Sequence, residues 1–311
     1  MILVVGDVML DRYFWGIATR LSPEAPVPIV QVVQVTTSLG GAGNVAANLI
    51  GLQHEVVLIG ACGKDPAAEI LSQTIREFGI TDYLVEERDR PTTTKTRVIA
   101  DSQQITRIDE ELVKELYKKG KTAIRNNIKK VLPKCKAIII SDYAKGAVDS
   151  MLVHDILEVS KKIPVFVDPK GMQWEKYRGV FCITPNFKEF LAHWQSAPRT
   201  KVIDSETQLR NAVREVVKEL DLEYMVVTRG PGGILVVPKE GQIYQIDVEK
   251  VGEVVDVSGA GDTVVAVLAS WVAKGGVMED GAVSANKLAG MVVSRLGTSP
   301  ITIEDLKEVR T

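Results

Sequence analysis

The chain has 311 residues, with 38 Lys and Arg against 40 Asp and Glu and a net charge of −2. Such a balance, without a basic excess or a block of like charge, argues against a nucleic-acid binder and against a charged interaction tail. Three widely spaced cysteines, Cys62, Cys135 and Cys182, suit a reducing compartment rather than a disulfide framework, and the longest apolar run, 263–273, is far shorter than the ~20 residues of a membrane span.

In chain order, the apolar run 2–5 closed by Gly6 reads as a buried strand, and Asp7 and Asp11 follow at its carboxyl end. Residues 1–6 are too short, and too soon followed by those carboxylates, for a secretory leader, so a cytoplasmic protein is expected. Segment 26–35 mixes Val27, Ile29, Val32 and Val35 with Gln31 and Gln34 and reads as extended. Gly40-Gly41-Ala42-Gly43-Asn44 opens a helical pattern, 42–52; a strand at 56–59 and a helix at 67–78 follow. Segment 92–108 alternates Thr, Val and Ile with polar residues around an Asp101-Ser102 turn. Beyond it, strands at 137–140, 165–167, 180–183, 225–227 and 234–237 interleave with helices at 112–132, 150–161 and 206–220. An apolar helix at 264–273 and a late helix at 283–295 end the pattern. Alternating strand and helix predicts a parallel sheet covered on both faces, with ligands at the carboxyl ends of its strands. Segments 26–35 and 92–108 are expected outside that sheet as a small lid, whose open edges a second subunit could cover.

The run Asp256-Val257-Ser258-Gly259-Ala260-Gly261-Asp262-Thr263 is the strongest chemical signal. Amides at a helix start lack partners and can hold an anion, and Gly259 and Gly261 let backbone approach a phosphate closely. Asp262 beside them is placed to take a proton from a hydroxyl. A lone first-turn Asp would be read as favouring the helix dipole; two glycines at a helix start shift the reading to phosphoryl transfer. Asn44 offers an amide to sugar hydroxyls or merely sits in a first turn. Asn186 and Glu189, three apart, either cap a helix or help hold a hydrated Mg²⁺. Thr228-Arg229-Gly230-Pro231-Gly232-Gly233 is a hairpin turn or a seat for nucleotide phosphates. Asp142 with Lys145, and Asp168 with Lys170, follow buried strands, where the lysines could neutralise developing charge. Two patterns mislead. Gly41 to Ala46 fits the dinucleotide pattern G-x-G-x-x-A with Asp65 downstream, but Thr36-Thr37-Ser38-Leu39 separate it from the preceding strand. Gly120-Lys121-Thr122 resembles a P-loop tail, but Glu115 stands where the first glycine belongs. His54, His154 and His193 show no metal-ligand spacing.

On these motifs the chain resembles the ribokinase-like (PfkB) family of sugar kinases over essentially its whole length. One departure, Gln53 where the family has glycine, falls at a helix end and touches its termination only. Gly6-Asp7-Val8-Met9-Leu10-Asp11-Arg12-Tyr13, Ser22-Pro23-Glu24-Ala25-Pro26-Val27-Pro28, Ser141-Asp142-Tyr143-Ala144-Lys145-Gly146, Asp168-Pro169-Lys170-Gly171, Tyr177-Arg178-Gly179 and Leu296-Gly297-Thr298-Ser299 are similar to the family's bacterial heptose-7-phosphate kinases. That branch makes heptose 1,7-bisphosphate for the ADP-heptose of lipopolysaccharide. Some members carry a fused nucleotidyltransferase; with its last residue at Thr311, this chain is expected to be the kinase alone.

The resemblance implies one α/β domain, 1–311, of three layers. Its central sheet would be mostly parallel, with a small β-lid from segments about 12–37 and 91–109 and a homodimer through that lid. It implies ATP and Mg²⁺, and leaves open a monovalent cation. Asp262 matches the base for the anomeric hydroxyl, and Gly259, Ala260 and Gly261 the anion hole. Asn186 and Glu189 match the element linked to Mg²⁺ and ATP phosphates; Thr228, Gly230 and Gly233 match the nucleotide turn, and Asn286, by looser analogy, lies near the adenine. Asp11, Gly40, Gly41 and Asn44 match the sugar-binding set, and Lys145, Lys170, Arg12, Arg97 and Arg107 are the cations available to the 7-phosphate. The rivals are the same chemistry on ribose or fructose 6-phosphate, an NAD(P) oxidoreductase, and a sugar-binding regulator that has no need of the base.

Overall fold

Strands buried on both faces need apolar side chains at every position, and that is how β1 (Ile2–Gly6) is built, with all five residues buried. The structure, a computed structural model, describes residues 1–101, 103–160, 162–197, 202–248 and 254–309. Two long strands follow β1: β2 (Val8–Leu21) and β3 (Pro28–Gly41). Next come α1 (Ala42–Gly51), β4 (Val56–Cys62), α2 (Pro66–Glu77) and β5 (Thr81–Glu86), then β6 (Thr94–Ala100) and β7 (Gln103–Glu110). The middle of the chain forms α3 (Lys118–Val131), β8 (Ala137–Asp142), α4 (Ser150–Ser160), β9 (Val165–Pro169), β10 (Cys182–Ile183), α5 (Phe187–Ser196) and α6 (Glu206–Glu219). The last part comprises β11 (Tyr224–Thr228), β12 (Ile234–Pro238), β13 (Tyr244–Ile246), α7 (Ala260–Ala273), α8 (Met278–Val292) and α9 (Ile303–Val309).

The main sheet has nine strands in the order β13-β12-β11-β10-β9-β8-β1-β4-β5. It is parallel from β5 to β11, and β12 and β13 are added antiparallel. Side chains alternate across it. Leu3 and Val5 join Ile138, Ile140 and the apolar faces of α3, α4 and α6, while Ile2 and Val4 join Ile139, Phe166 and those of α1, α7 and α8. The result is the three-layer ribokinase-like α/β fold with its mostly parallel sheet. A second, four-stranded sheet has the order β3-β2-β6-β7. Cys62, Cys135 and Cys182 are free and buried, and among the described residues no helix is long and apolar enough to cross a membrane.

Several boundaries differ from the sequence reading. Helix α3 starts at Lys118, not 112, because residues 112–117 are pinned as an irregular connection. The Arg90 guanidinium donates to the carbonyls of Leu112, Lys114 and Lys145, and Glu87 accepts from the Tyr117 amide. Helix α8 begins at Met278 and ends at Val292, where 283–295 is the pattern's span. β3 continues into Gly41, so a strand does abut the glycine-rich run. It belongs to the smaller, partly antiparallel sheet, however, and no βαβ unit forms there. Gly120-Lys121-Thr122 lies in the first turns of α3, with Lys121 paired to Glu115 and Asp149 at 2.6 and 2.7 Å. Ser102 and Lys161, included in the turn and helix readings, lie outside the described residues.

Candidate active site

Helix α7 begins at the carboxyl side of the main sheet with Gly259 as its N-cap at φ 82°, a left-handed conformation that favours glycine. A Cβ there would lie 2.7 Å from Asn44 Nδ2. Asp256 shapes the approach by accepting from the amides of Ser258 (2.9 Å) and Gly297 (3.1 Å). The Ala260 and Thr263 amides donate to Val257 and Gly259 carbonyls. Those of Gly261 and Asp262 have no acceptor among the described residues, as an anion site at a helix start requires.

Asp262 is 3% exposed. Its Oδ2 accepts from Asn44 Nδ2 at 2.8 Å and its Oδ1 from the Tyr143 hydroxyl at 3.0 Å. Burial first, and the nearby Asp168 carboxylate second, push its pKa up to about 7, against the lowering effect of Asn44, Lys170 and Tyr143. A carboxylate poised there can act as a general base near neutral pH. Asp168, fully buried at the end of β9, pairs through Oδ1 with Lys170 Nζ at 3.0 Å. Burial raises its pKa and Lys170 opposes the rise. Lys170 Nζ also reaches Glu189 Oε1 at 3.3 Å and lies 5.5 Å from the Tyr143 ring centroid. Burial lowers the pKa of this lysine, but Asp168, Glu189 and Asp262 together outweigh it and raise the pKa above the ordinary value.

Asn186 and Glu189 form a complete capping box on α5: Asn186 Oδ1 accepts from the Glu189 amide (2.9 Å) and Glu189 Oε2 from the Asn186 amide (2.7 Å). The capping reading is therefore realised, and it leaves Glu189 Oε1 facing Lys170. Asp168 Oδ2 is buried with no hydrogen-bond partner among the described residues. An orphaned carboxylate oxygen beside a second carboxylate fits a hydrated divalent cation, whose preference is for oxygen ligands and retained water. Thr228 bridges to Asn186, so the β11–β12 turn and the capping box form one wall. In that turn Gly230 and Gly233 have φ of 54° and 73°, and a Cβ on Gly233 would meet the Ile246 carbonyl at 2.0 Å. Asn286, on α8, donates through its amide to the Asp247 carbonyl at 2.9 Å, and Asp247 lies beside that turn, its Cα 3.1 Å from where a Gly233 Cβ would stand.

Asp11, on β2, is buried at 4% exposure. Its Oδ1 pairs with an Arg97 guanidinium nitrogen at 2.7 Å, and its Oδ2 accepts from Thr298 Oγ1 at 2.9 Å. Gly40 is bare because a Cβ would sit 2.8 Å from Asp11 Oδ2, and Gly41 because one would sit 2.5 Å from the Asp7 carbonyl. The Ala42 amide donates to that same carbonyl at 3.0 Å. The first amide of α1 is thus taken by protein, and β3, which leads into the glycines, belongs to the smaller sheet, so the strand–helix context of the dinucleotide pattern is missing.

Among the cationic candidates, Lys145 Nζ pairs with Glu111 at 2.5 Å, and Arg107, half-exposed on β7, with Asp109 at 2.8 Å. Lys95 joins both carboxylates, at 3.2 and 3.6 Å. Arg12 alternates with Asp11 along β2, so it lies on the sheet's opposite face, against the Phe14 ring. Of the two carboxylates that follow β1, Asp7 accepts from the backbone amides of Tyr143, Lys145 and Ala147.

Sequence reasoning gave no role to Tyr143 or Thr298 and did not pair Asp168 with the base. Each acts on residues far away in the chain; the signals were the carboxylate-then-lysine spacing at Asp168 and Lys170 and the resemblance of the segments that hold Tyr143 and Thr298.

A bare helix start, a buried carboxylate beside it and a lysine held between Asp168 and Glu189, on a three-layer α/β fold, are the parts of a phosphoryl-transfer enzyme of the sugar-kinase class. The chain belongs to the pfkB family carbohydrate kinases, whose family model matches residues 1–305. It is 41% identical over 308 residues to the bifunctional protein HldE of a Nitratiruptor species, covering 99% of this chain and 64% of that protein. It is 38% identical over 307 residues to HldE of Vibrio parahaemolyticus serotype O3:K6, covering 99% and 63%. The chain thus spans less than two thirds of the length of these relatives. The fold is shared with phosphofructokinase-2 from Escherichia coli in complex with potassium, at TM-score 0.81 and 18% identity over 99% of this chain and 97% of that one. It is shared too with Arabidopsis thaliana ribokinase complexed with ribose and ATP, at TM-score 0.74 and 19% identity over 100% and 98%.

Proposed function

We propose that the chain transfers the terminal phosphoryl group of ATP to the anomeric hydroxyl of D-glycero-D-manno-heptose 7-phosphate, giving the 1,7-bisphosphate on the way to ADP-heptose and lipopolysaccharide. One observation supports the choice of sugar: Tyr143 and Thr298, from the segments that resemble the heptose kinases, bond Asp262 and Asp11, and Lys170, from another of those segments, pairs with Asp168 beside the base. In this reading Asp262 takes the proton from the acceptor hydroxyl. The Gly261 and Asp262 amides receive the migrating phosphoryl oxygens, and Lys170 offsets their charge. Asp11 binds sugar hydroxyls, and Lys145, Lys95 and Arg107 supply cations to the distal phosphate. Mg²⁺, held largely through water by Asn186 and Glu189 together with the orphaned oxygen of Asp168, would neutralise nucleotide phosphate charge. The Thr228 turn with Gly230 and Gly233 takes the nucleotide, and Asn286 stands toward its base.

An ADP-release assay with heptose 7-phosphate, unphosphorylated heptose, ribose and fructose 6-phosphate tests the substrate. Heptose 7-phosphate is expected to exceed unphosphorylated heptose and ribose by about 10²-fold or more in kcat/KM, the scale set by leaving a cationic site unpaired, and to exceed fructose 6-phosphate, which carries its phosphate on a shorter chain, by a smaller margin. Equal turnover of fructose 6-phosphate overturns the choice. Paired runs with and without potassium test a monovalent-cation requirement.

The small sheet is assigned as a lid and as a dimer contact. On its face opposite Asp11, Val33 and Val35 of β3 and Ile108 of β7 are 64%, 51% and 52% exposed. A sheet face so apolar suits a second copy of the chain. Sedimentation velocity should find a dimer, and Val35→Glu should shift it to monomer; a wild-type monomer at all concentrations contradicts the assignment.

A further inference from the structure

The segment between β8 and α4 is fixed with unusual thoroughness for a surface connection. Asp7, buried at the end of β1, accepts through Oδ2 from the amides of Tyr143 (2.9 Å) and Lys145 (3.1 Å) and through Oδ1 from Ala147 (3.1 Å). Asp142 Oδ1 accepts from the Ala144 amide at 2.9 Å. Arg90 donates to the Lys145 carbonyl, and the Gly146 carbonyl accepts from the Leu116 amide at 3.3 Å. Gly146, at φ 103°, has no space for a side chain, since a Cβ would meet the Lys114 carbonyl at 2.0 Å. The one side chain this segment delivers to the base is Tyr143, whose hydroxyl lies 3.0 Å from Asp262 Oδ1 while its ring faces Lys170 Nζ.

We propose that Tyr143 is a positioning residue: with Asn44 on the other oxygen, its hydroxyl fixes the plane of the Asp262 carboxylate and favours the ionised form that accepts the substrate proton. Two donors to one buried carboxylate are charge-assisted hydrogen bonds, and such bonds are both directional and strong. They counter the two influences that protonate the base, namely removal from water and the Asp168 carboxylate. The charged groups facing Asp262 are Asp168 and Lys170, from the end of β9; α1 contributes the neutral Asn44 and the 142–147 segment the neutral Tyr143. The tyrosine is thus the one neutral donor from that segment, and its place is set by Asp7, a buried carboxylate that touches no ligand in the proposed reaction.

Tyr143→Phe tests this, because it keeps the ring and its contact with Lys170 and removes only the hydroxyl. Steady-state kinetics between pH 6 and 9 should show kcat lower by about ten- to a hundredfold at neutral pH, with KM for ATP within about twofold of wild type. The acid limb of the kcat profile should move to higher pH, with partial recovery of rate at the alkaline end. An unchanged kcat and an unmoved limb overturn the assignment, and so does an equal loss at every pH accompanied by a raised KM for ATP, which is the signature of general disturbance. The inference rests on Asp262 being the base, and the two fail differently. A fully active Asp262→Asn protein removes the base itself, whereas an inactive Asp262→Asn beside an unaffected Tyr143→Phe removes only the tyrosine's part.

Discussion

Asp262→Asn is expected to lower turnover by roughly 10²–10⁴-fold while leaving the fold and nucleotide binding in place. The substitution is isosteric, and the Tyr143 hydroxyl that donates to Oδ1 can turn to accept from an amide instead, so no buried group is stranded. The lost quantity is the ability to accept a proton. Wild-type enzyme should show the same chemistry through pH. The base works ionised and its pKa is raised to about 7 by burial and then by Asp168, so kcat/KM should fall as pH drops through neutrality and level off above it. An unburied carboxylate would give a profile flat down to about pH 4–5. Isothermal titration with ATP and a thermal melt, run beside the assay, separate lost chemistry from lost structure. A purified Asp262→Asn protein with full activity would remove the proposed mechanism.

Arg97→Ala should cost about 3–5 kcal/mol of folding stability, because it leaves the Asp11 carboxylate buried without its cation. The pair lies at 2.7 Å, with side-chain exposures of 9% for Arg97 and 6% for Asp11. Thr298 still donates to the other oxygen, but a hydroxyl does not replace a guanidinium for a charge removed from water. The comparison is internal. Arg107→Ala breaks a pair in which the arginine side chain is 49% exposed, and such surface pairs contribute about 0–1 kcal/mol. Urea unfolding of both variants reads the difference directly; equal midpoints for the two would show that Asp11 is stable without its partner.

The parts of the fold that were legible in the sequence are those where physics leaves little choice. β1, β4, β8 and β9 sit between two helical layers, so apolar residues run unbroken along them. β5 and β13 are edge strands whose mixed, partly exposed residues carry no such run, and neither was visible. The late glycine pair was legible because bare backbone at a helix start has few other uses. The roles around it were not. Asn44 and Tyr143 reach Asp262 across 218 and 119 residues of sequence, and no spacing rule spans that. Arg97 and Arg12 looked alike as cations near one motif. Strand register separates them, since Arg97 pairs opposite Tyr13 on the Asp11 face and Arg12 falls on the other.

The hydrogen bond from Thr298 to Asp11 joins positions 287 residues apart, and the Tyr13 hydroxyl accepts from the Thr298 amide over almost the same span. During synthesis, then, the surroundings of Asp11 cannot be completed on a growing polypeptide until Thr298 has left the ribosome. Contacts of such long sequence separation are slow to form, because the loop between them must be closed before they can contribute.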